Sequence, residues 1–202
     1  MTSPQNFRSL SLAGLLITVL AAVAVGADEE MVDNPYYQYW RNHKPGASVV
    51  HQETTKITSA DTTVPNQEAT DEKKVAWKLL DVDDTKAVVE MVVTEKEPLG
   101  YVQSAPNRYI YPAKVAKSEL GHEMQMSGAK TGEDVVKFQD KDLKVKTLEG
   151  SCKAADGSDI NYKVWLSDQI PGSVVKKVQT TRQNGNVVAE TTVTALSYKT
   201  SD

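Results

Sequence analysis

The chain has 202 residues, 23 Lys and Arg against 27 Asp and Glu, 40% hydrophobic residues and one cysteine. A formal charge of −4 speaks against nucleic acid as a partner, because proteins that bind it gather positive charge where they meet phosphate. A lone Cys152 excludes an intrachain disulfide, so packing alone must hold the fold.

Residues 1–27 read as a cleavable export signal. Arg8 precedes the apolar run 10–25, Val25-Gly26-Ala27 supplies small residues for cleavage, and Asp28-Glu29-Glu30 ends the run abruptly. A retained anchor would need about 20 apolar residues, and Ser11, Gly14 and Thr18 dilute this one. The expected product is a soluble domain in the periplasm or the medium that meets a membrane only through its signal peptide during export. The remaining 175 residues suit one domain.

Residues 28–34 are expected to form a flexible acidic segment, and 35–202 a single β-rich domain. Asn34 as a cap, Pro35 at the first helical position and the stop Lys44-Pro45-Gly46 predict one short helix over 35–43. Residues 49–58 are rich in β-branched side chains and predict a strand, followed by a polar loop over 59–71. Residues 73–82 and 85–95 flank Asp83-Asp84 as a hairpin. A loop follows, with a short strand at 101–103, and 108–117 resumes an extended pattern in which Pro112 marks an edge or a bend.

Residues 121–127, 134–138 and 142–154 read as further extended segments. In 160–166 the even positions are apolar, so one face is buried. Pro171-Gly172 then turns the chain, and Asn184-Gly185 joins 174–182 to 187–198 as a hairpin, completing an antiparallel meander.

The export signal, the small helix, the run of strands and the segment Val164-Trp165-Leu166-Ser167-Asp168-Gln169-Ile170-Pro171-Gly172-Ser173-Val174-Val175-Lys176 resemble uncharacterised secreted bacterial proteins of the planctomycete type. The segment is also similar to envelope proteins with a LolA/LolB-like curved sheet, in which a tryptophan-bearing strand leads through a proline turn into the next. The resemblance implies a sheet wrapped round an apolar cavity that holds lipid or the acyl chains of lipoproteins. Only one helix is evident here, where such carriers have more to close the mouth.

The fold class expected is mainly β: a single strongly curved antiparallel sheet, or half-barrel, of about 8–10 strands, with the short N-terminal helix packed on it. Strand alternation predicts one buried and one solvated face, and a sandwich or closed barrel is the structural alternative. Tyr36, Tyr37 and Trp40, with positions 36, 37 and 40 on one helical face, are candidate ligand-binding residues together with Trp165. Their rings could stack on sugars, line an apolar site or simply pack the helix onto the sheet.

His122, Met124 and Met126 would share one side of a strand, a soft donor set suited to copper(I), although methionines also fill irregular cores. Cys152 reads as a strand thiol because no base can be placed beside it by spacing. The carboxylates at 81, 83 and 84 read as a solvated hairpin tip, and Glu95 and Glu97 as a strand end. No catalytic residue and no cofactor is expected. The function expected is non-enzymatic binding of a lipid or other apolar ligand in the concave face, with a structural or protein-interaction module of the envelope as the alternative and a hydrolase as a third reading. A sizeable apolar cavity between residues 36–40 and the sheet would favour the carrier.

Overall fold

The computed structural model describes residues 29–58, 68–120, 127–154 and 156–201. The export signal and the His122, Met124 and Met126 set lie outside the described residues. Among the described residues twelve strands are present: β1 (Met31–Asp33), β2 (Ser48–Thr58), β3 (Glu68–Val82), β4 (Lys86–Glu97), β5 (Gly100–Gln103), β6 (Asn107–Pro112), β7 (Lys114–Ala116), β8 (Ser127–Phe138), β9 (Lys141–Lys153), β10 (Asp159–Leu166), β11 (Val174–Gln183) and β12 (Asn186–Lys199). One short helix, α1 (Pro35–Gln38), follows β1, and a 3-10 turn spans Lys117–Glu119.

Ten strands form one antiparallel sheet in the order β5-β4-β3-β2-β12-β11-β10-β9-β8, with β6 also paired to β4. β12 closes on β2 in the middle of the sheet, so the C-terminal meander and the N-terminal hairpins are joined through a long ladder from Ala189↔Ile57 to Lys199↔Ser48. The turns follow the sequence closely. Asn184 and Gly185 take positive φ of 51° and 83° between β11 and β12, the backbone that an Asn-Gly pair supplies most readily. Asp83 Oδ1 accepts from the Thr85 and Lys86 amides at 2.7 and 3.0 Å, an Asx turn that fixes the β3–β4 hairpin.

Two differences from the sequence reading have plain causes. Met31–Asp33, expected to be flexible, pairs with β7 as a small separate ladder, with Lys114 Nζ 2.7 Å from Asp33 Oδ1. This pairing joins segments about eighty residues apart, which no local pattern announces. The helix is one turn, α1, followed by turns, because Asn34 caps Tyr36 at 3.0 Å but no periodic run sustains it.

The sheet is open and sharply curled. A flat sheet would hold β8 and β12 roughly 19 Å apart, four strand spacings. Instead the Phe138 ring lies 5.6 Å from that of Tyr198, and the Gln139 side-chain amide donates to the Leu196 carbonyl at 3.2 Å. Register shifts in β10–β11 at Trp165/Leu166 and in β12 between Ala195 and Ser197 accompany the curl, as bulges bend strands and increase twist.

The buried face changes along the sheet. Directly opposed residues share a face, so Leu148, Val164, Lys177, Val193, Glu53, Lys73 and Glu95 form one row on one side. Counting by twos, Val49, Leu79 and Val89 lie on that same side, whereas Leu143 and Val145 lie on the other. All five belong to one core cluster with Tyr37, Trp40 and Ile170. The expectation of one dry and one wet face therefore holds only locally: twist turns the two halves over relative to one another.

Residues 167–173 and α1 close this core. Ile170 and Pro171 are fully buried, Trp40 is 5% exposed, and the Gly172 amide donates to the Tyr39 carbonyl at 3.2 Å. Gly172 has φ 76°, and a Cβ there would sit 3.0 Å from Trp40 Cζ2, whereas one on Gly185, also at positive φ, meets nothing within 4 Å. Both Gly→Ala changes carry a left-handed backbone cost of roughly 1–2 kcal/mol. Gly172→Ala should lose about 1–3 kcal/mol more through overpacking, and equal urea midpoints for the two variants would show that Trp40 does not fill this corner.

Candidate functional site

Alternation along β6 puts Asn107, Tyr109 and Tyr111 on one face, the face on which β4 presents Val89 and Ala87. Trp77 of β3, opposite Val49 and Met91, shares it. The Trp77 and Tyr109 rings lie 5.6 Å apart, Tyr109 and Tyr111 6.3 Å, Tyr111 and Tyr36 5.4 Å, and Tyr36 and Tyr39 6.5 Å. Five rings thus form one continuous strip from the sheet to the helix; every one is partly buried, and Trp77, Tyr111 and Tyr39 pack against the core cluster. The planes of Tyr109, Tyr111 and Tyr36 differ by only 15° and 20° at successive steps.

The four aromatic residues expected to bind a ligand are divided between different surroundings. Tyr37 and Trp40 are 7% and 5% exposed and pack with Ala47, Leu79, Ala87 and Val89. The Tyr37 hydroxyl donates to the Asp83 carbonyl at 2.9 Å, which ties α1 to the β3–β4 turn. The interface between residues 36–40 and the sheet is filled. Tyr36 is partly buried and belongs to the strip.

Trp165 lies on the opposite face of the sheet from Tyr109 and Tyr111, with Thr147 and Lys176 beside it in the ladder. Its indole N–H donates to Asp134 at 3.2 Å, and the ammonium groups of Lys163 and Lys176 lie 5.1 and 5.2 Å from its ring. The Val135 amide, the indole and nearby Lys163 hold the Asp134 carboxyl below its ordinary pKa. A concavity of about 550 Å³ opens beside this cage, lined by Glu133, Asp134, Lys144, Lys146 and Asp168 together with Val135, Val145, Leu166 and Ser167. A second hollow of about 200 Å³ lies between the β8–β9 turn and β12, against Phe138, Val175 and Leu196.

The residues weighed for chemistry are engaged structurally. The Cys152 thiol contacts the Tyr162 hydroxyl at 3.7 Å. His51 is 6% exposed, and its Nε2 donates to the Val174 carbonyl at 2.9 Å, reaching over the small Ala195. Glu95 stands opposite Lys73 in the ladder. Among the described residues no group of three or more His, Cys, Asp or Glu side chains could hold a metal ion, and no helix is long and apolar enough to cross a membrane.

The sequence pointed to Tyr36 but not to its partners in the strip. Tyr109 and Tyr111 at positions i and i+2 were the available signal, but without knowing that β6 pairs with β4 nothing connects them to Trp77 or to the helix.

No model of a known protein family matches the chain, and no curated protein is significantly similar to it. The likeness to planctomycete secreted proteins thus gains no support from sequence comparison. Among solved structures, a crystal structure from Vibrio parahaemolyticus, provisionally described as an outer membrane lipoprotein-sorting protein domain, aligns over 77% of this chain and 85% of its own at 10% identity. Its TM-score is 0.26, too loose a superposition to transfer fold or function.

Burial lowers the pKa of His51, against the opposing effects of its bond to Val174 and of Glu53, and burial does the same for His43. The fold therefore favours neutral imidazole. This contribution is full above the ordinary imidazole value of 6.5 and is lost as pH falls from there through the lowered folded value. Melting temperature should drop between about pH 7.5 and pH 5, and His51→Gln, which keeps a donor for Val174 without titrating, should flatten that drop. An unchanged slope in the variant would assign the pH dependence elsewhere.

Proposed function

We propose that this protein is a non-enzymatic, exported binding protein whose ligand lies along the aromatic strip formed by Trp77, Tyr109, Tyr111, Tyr36 and Tyr39. The single observation that carries this reading is the continuity of the strip: five partly exposed rings in four successive contacts, three of them packed against the core. Tyrosine and tryptophan provide large, rigid contact area at little entropic cost. Rings already ordered by one another lose little freedom when a ligand arrives.

The engagement of Cys152 by Tyr162 and of His51 by a backbone carbonyl supports a role without a nucleophile or general base. Because Tyr37 and Trp40 are packed in the core cluster, this reading takes the apolar ligand to lie on the surface beside the helix and not under it.

A second reading, a protein-interaction module of the envelope, draws on the sheet edge. Leu99 is 102% exposed, and Tyr101, Val102 and Ile110 are 71%, 50% and 65% exposed. These side chains cluster on β5, β6 and the turn before β5, where they offer an exposed apolar surface to a protein partner.

Carbon-13 labelling of the tyrosine rings tests the first reading. A screen of ligands with apolar faces should shift the resonances of Tyr36, Tyr109 and Tyr111 before those of Tyr162 and Tyr198, and the replacement Tyr36→Ser with Tyr111→Ser should abolish the response. If no ligand perturbs the strip while a photo-crosslinker at Tyr101 captures a protein partner in intact cells, the edge reading replaces it.

A further inference from the structure

We propose that the hollow of about 200 Å³ between the β8–β9 turn and β12 is a binding site for a small amphiphilic anion, a carboxylate carrying one aromatic ring or a short alkyl chain. It shares no residue with the aromatic strip and stands independently of it. Three irregularities of the backbone converge there. In β11 the pairing steps from Trp165↔Lys176 to Leu166↔Val174, which leaves Val175 as an extra residue. In β12 it steps from Ala195↔His51 to Ser197↔Val50, which leaves Leu196 as another. Both extra residues line the hollow, and bulges re-aim side chains in this way beside binding sites.

The third irregularity is the β8–β9 turn, where Gln139 and Asp140 hold φ of 48° and 64°. Left-handed backbone is unfavourable for a side chain such as that of Gln139. The conformation is offset by the bond from the Gln139 side-chain amide to the Leu196 carbonyl at 3.2 Å, which ties the turn to the bulge of β12. Turn and bulges thus hold one another, and the space between them stays empty although a closer fit of the hairpin on β12 would fill it.

The lining identifies the ligand class. Val136, Phe138, Val175, Ala195 and Leu196 make it mostly apolar, and Lys137 and Lys176 bring the charge. Among the described residues no carboxylate lines it, in a chain with 27 Asp and Glu, whereas three line the larger hollow. Neither lysine forms an ion pair among the described residues: Lys176 lies 5.2 Å from the Trp165 ring, and Lys137 stands opposite Asp142 in the ladder without pairing to it. Lysine stems lie along apolar surface while their charged ends stay in water, so the two ammonium groups belong at the mouth. A hollow charged with one sign draws in the opposite ion, and a carboxylate on a seated ligand meets those groups there. Size sets the rest of the molecule. A dry cavity of about 150 Å³ holds benzene, and sites for drug-sized molecules begin at about 300 Å³, so one ring or a short chain fits and the acyl chains of a membrane lipid do not.

Methyl resonances of the full chain, labelled at valine and leucine, read the site directly. Phenylacetate and octanoate should shift Val136, Val175 and Leu196 saturably, ahead of Leu79 and Val89 in the core. Phenylacetamide, the neutral counterpart, should bind about tenfold more weakly than the acid. Replacing both lysines, Lys137→Met with Lys176→Met, should remove that preference and leave the affinity for the amide unchanged. Leu196→Trp, at a residue 41% exposed and outside the ladder register, fills the hollow and should abolish binding of acid and amide alike. The lysine variant keeps the test valid if Leu196→Trp fails to fold.

No saturable shift at these methyls with either carboxylate would overturn the site. Binding that persists in Leu196→Trp would overturn its placement in the hollow, and equal affinity for phenylacetate and phenylacetamide would overturn the anionic class. Palmitate binding more tightly than octanoate at the same methyls would replace the small ligand by a long-chain lipid.

Discussion

Everything in this molecule depends on the packing of Trp40 into the turn between β10 and β11. A ten-stranded sheet left to itself has apolar surface on whichever face its residues dictate and no second layer to cover it. Here the covering is minimal: one helical turn and the segment 167–173. Trp40 against Gly172, Ile170 beneath it and the Gly172 amide on the Tyr39 carbonyl join these two pieces. They lie far apart in the sequence, so the contact ties the N-terminal helix to the β10–β11 turn. Its large ring area makes one aromatic residue do what a longer helix would otherwise do.

The reversal of the buried face follows from this economy. With so little covering material, the sheet must supply part of its own second layer, and it does so by folding the β8–β9 hairpin across the end of β12. Leu143 and Val145 then meet the same core as Val49 and Leu79 although ladder register places them on opposite sides. The aromatic strip lies where β6 borders α1, and its rings have two physical roles. The Tyr36–Tyr111 stack holds the helix to the edge of the sheet, and such pairs contribute about 0.5–1.5 kcal/mol beyond area burial. The same stacking orders the rings against one another while each keeps part of its surface accessible.

Much of the fold was legible because local chemistry determined it. Asn184-Gly185 selects its hairpin, Pro35 after Asn34 starts the helix, and alternation in 160–166 identifies a strand. What escaped depends on partners distant in sequence. Met31–Asp33 carries no strand pattern until Lys114–Ala116 arrives to pair with it. Tyr37 and Trp40 looked like a ligand face because helical spacing aligns them with Tyr36, but a helix of one turn does not preserve that face, and two of the three rings turn inward. Trp165 interrupts the alternation of β10 for a reason visible only in the folded chain: it sits at a register shift, on the side of the sheet that is buried in that half.

The two edges of the sheet are treated differently, and the contrast bears on which surfaces are meant to meet others. β8 carries Lys130, Glu133, Asp134 and Lys137 along an exposed strand and a register shift near its start, features that discourage another strand from pairing. On the opposite side β5 and β6 are short, divided by the segment 104–106, and end at Pro112. That discourages continuous pairing by length rather than charge, and it leaves their side chains free to be apolar and aromatic. An edge guarded by charge could not have carried Tyr109 and Tyr111 beside Trp77 without placing ammonium and carboxylate groups among the rings. Brevity protects the backbone while leaving the face of β6 that carries Asn107, Tyr109 and Tyr111 uncharged, with Arg108 on the other face, and this is why the aromatic strip is built at this edge and not at β8.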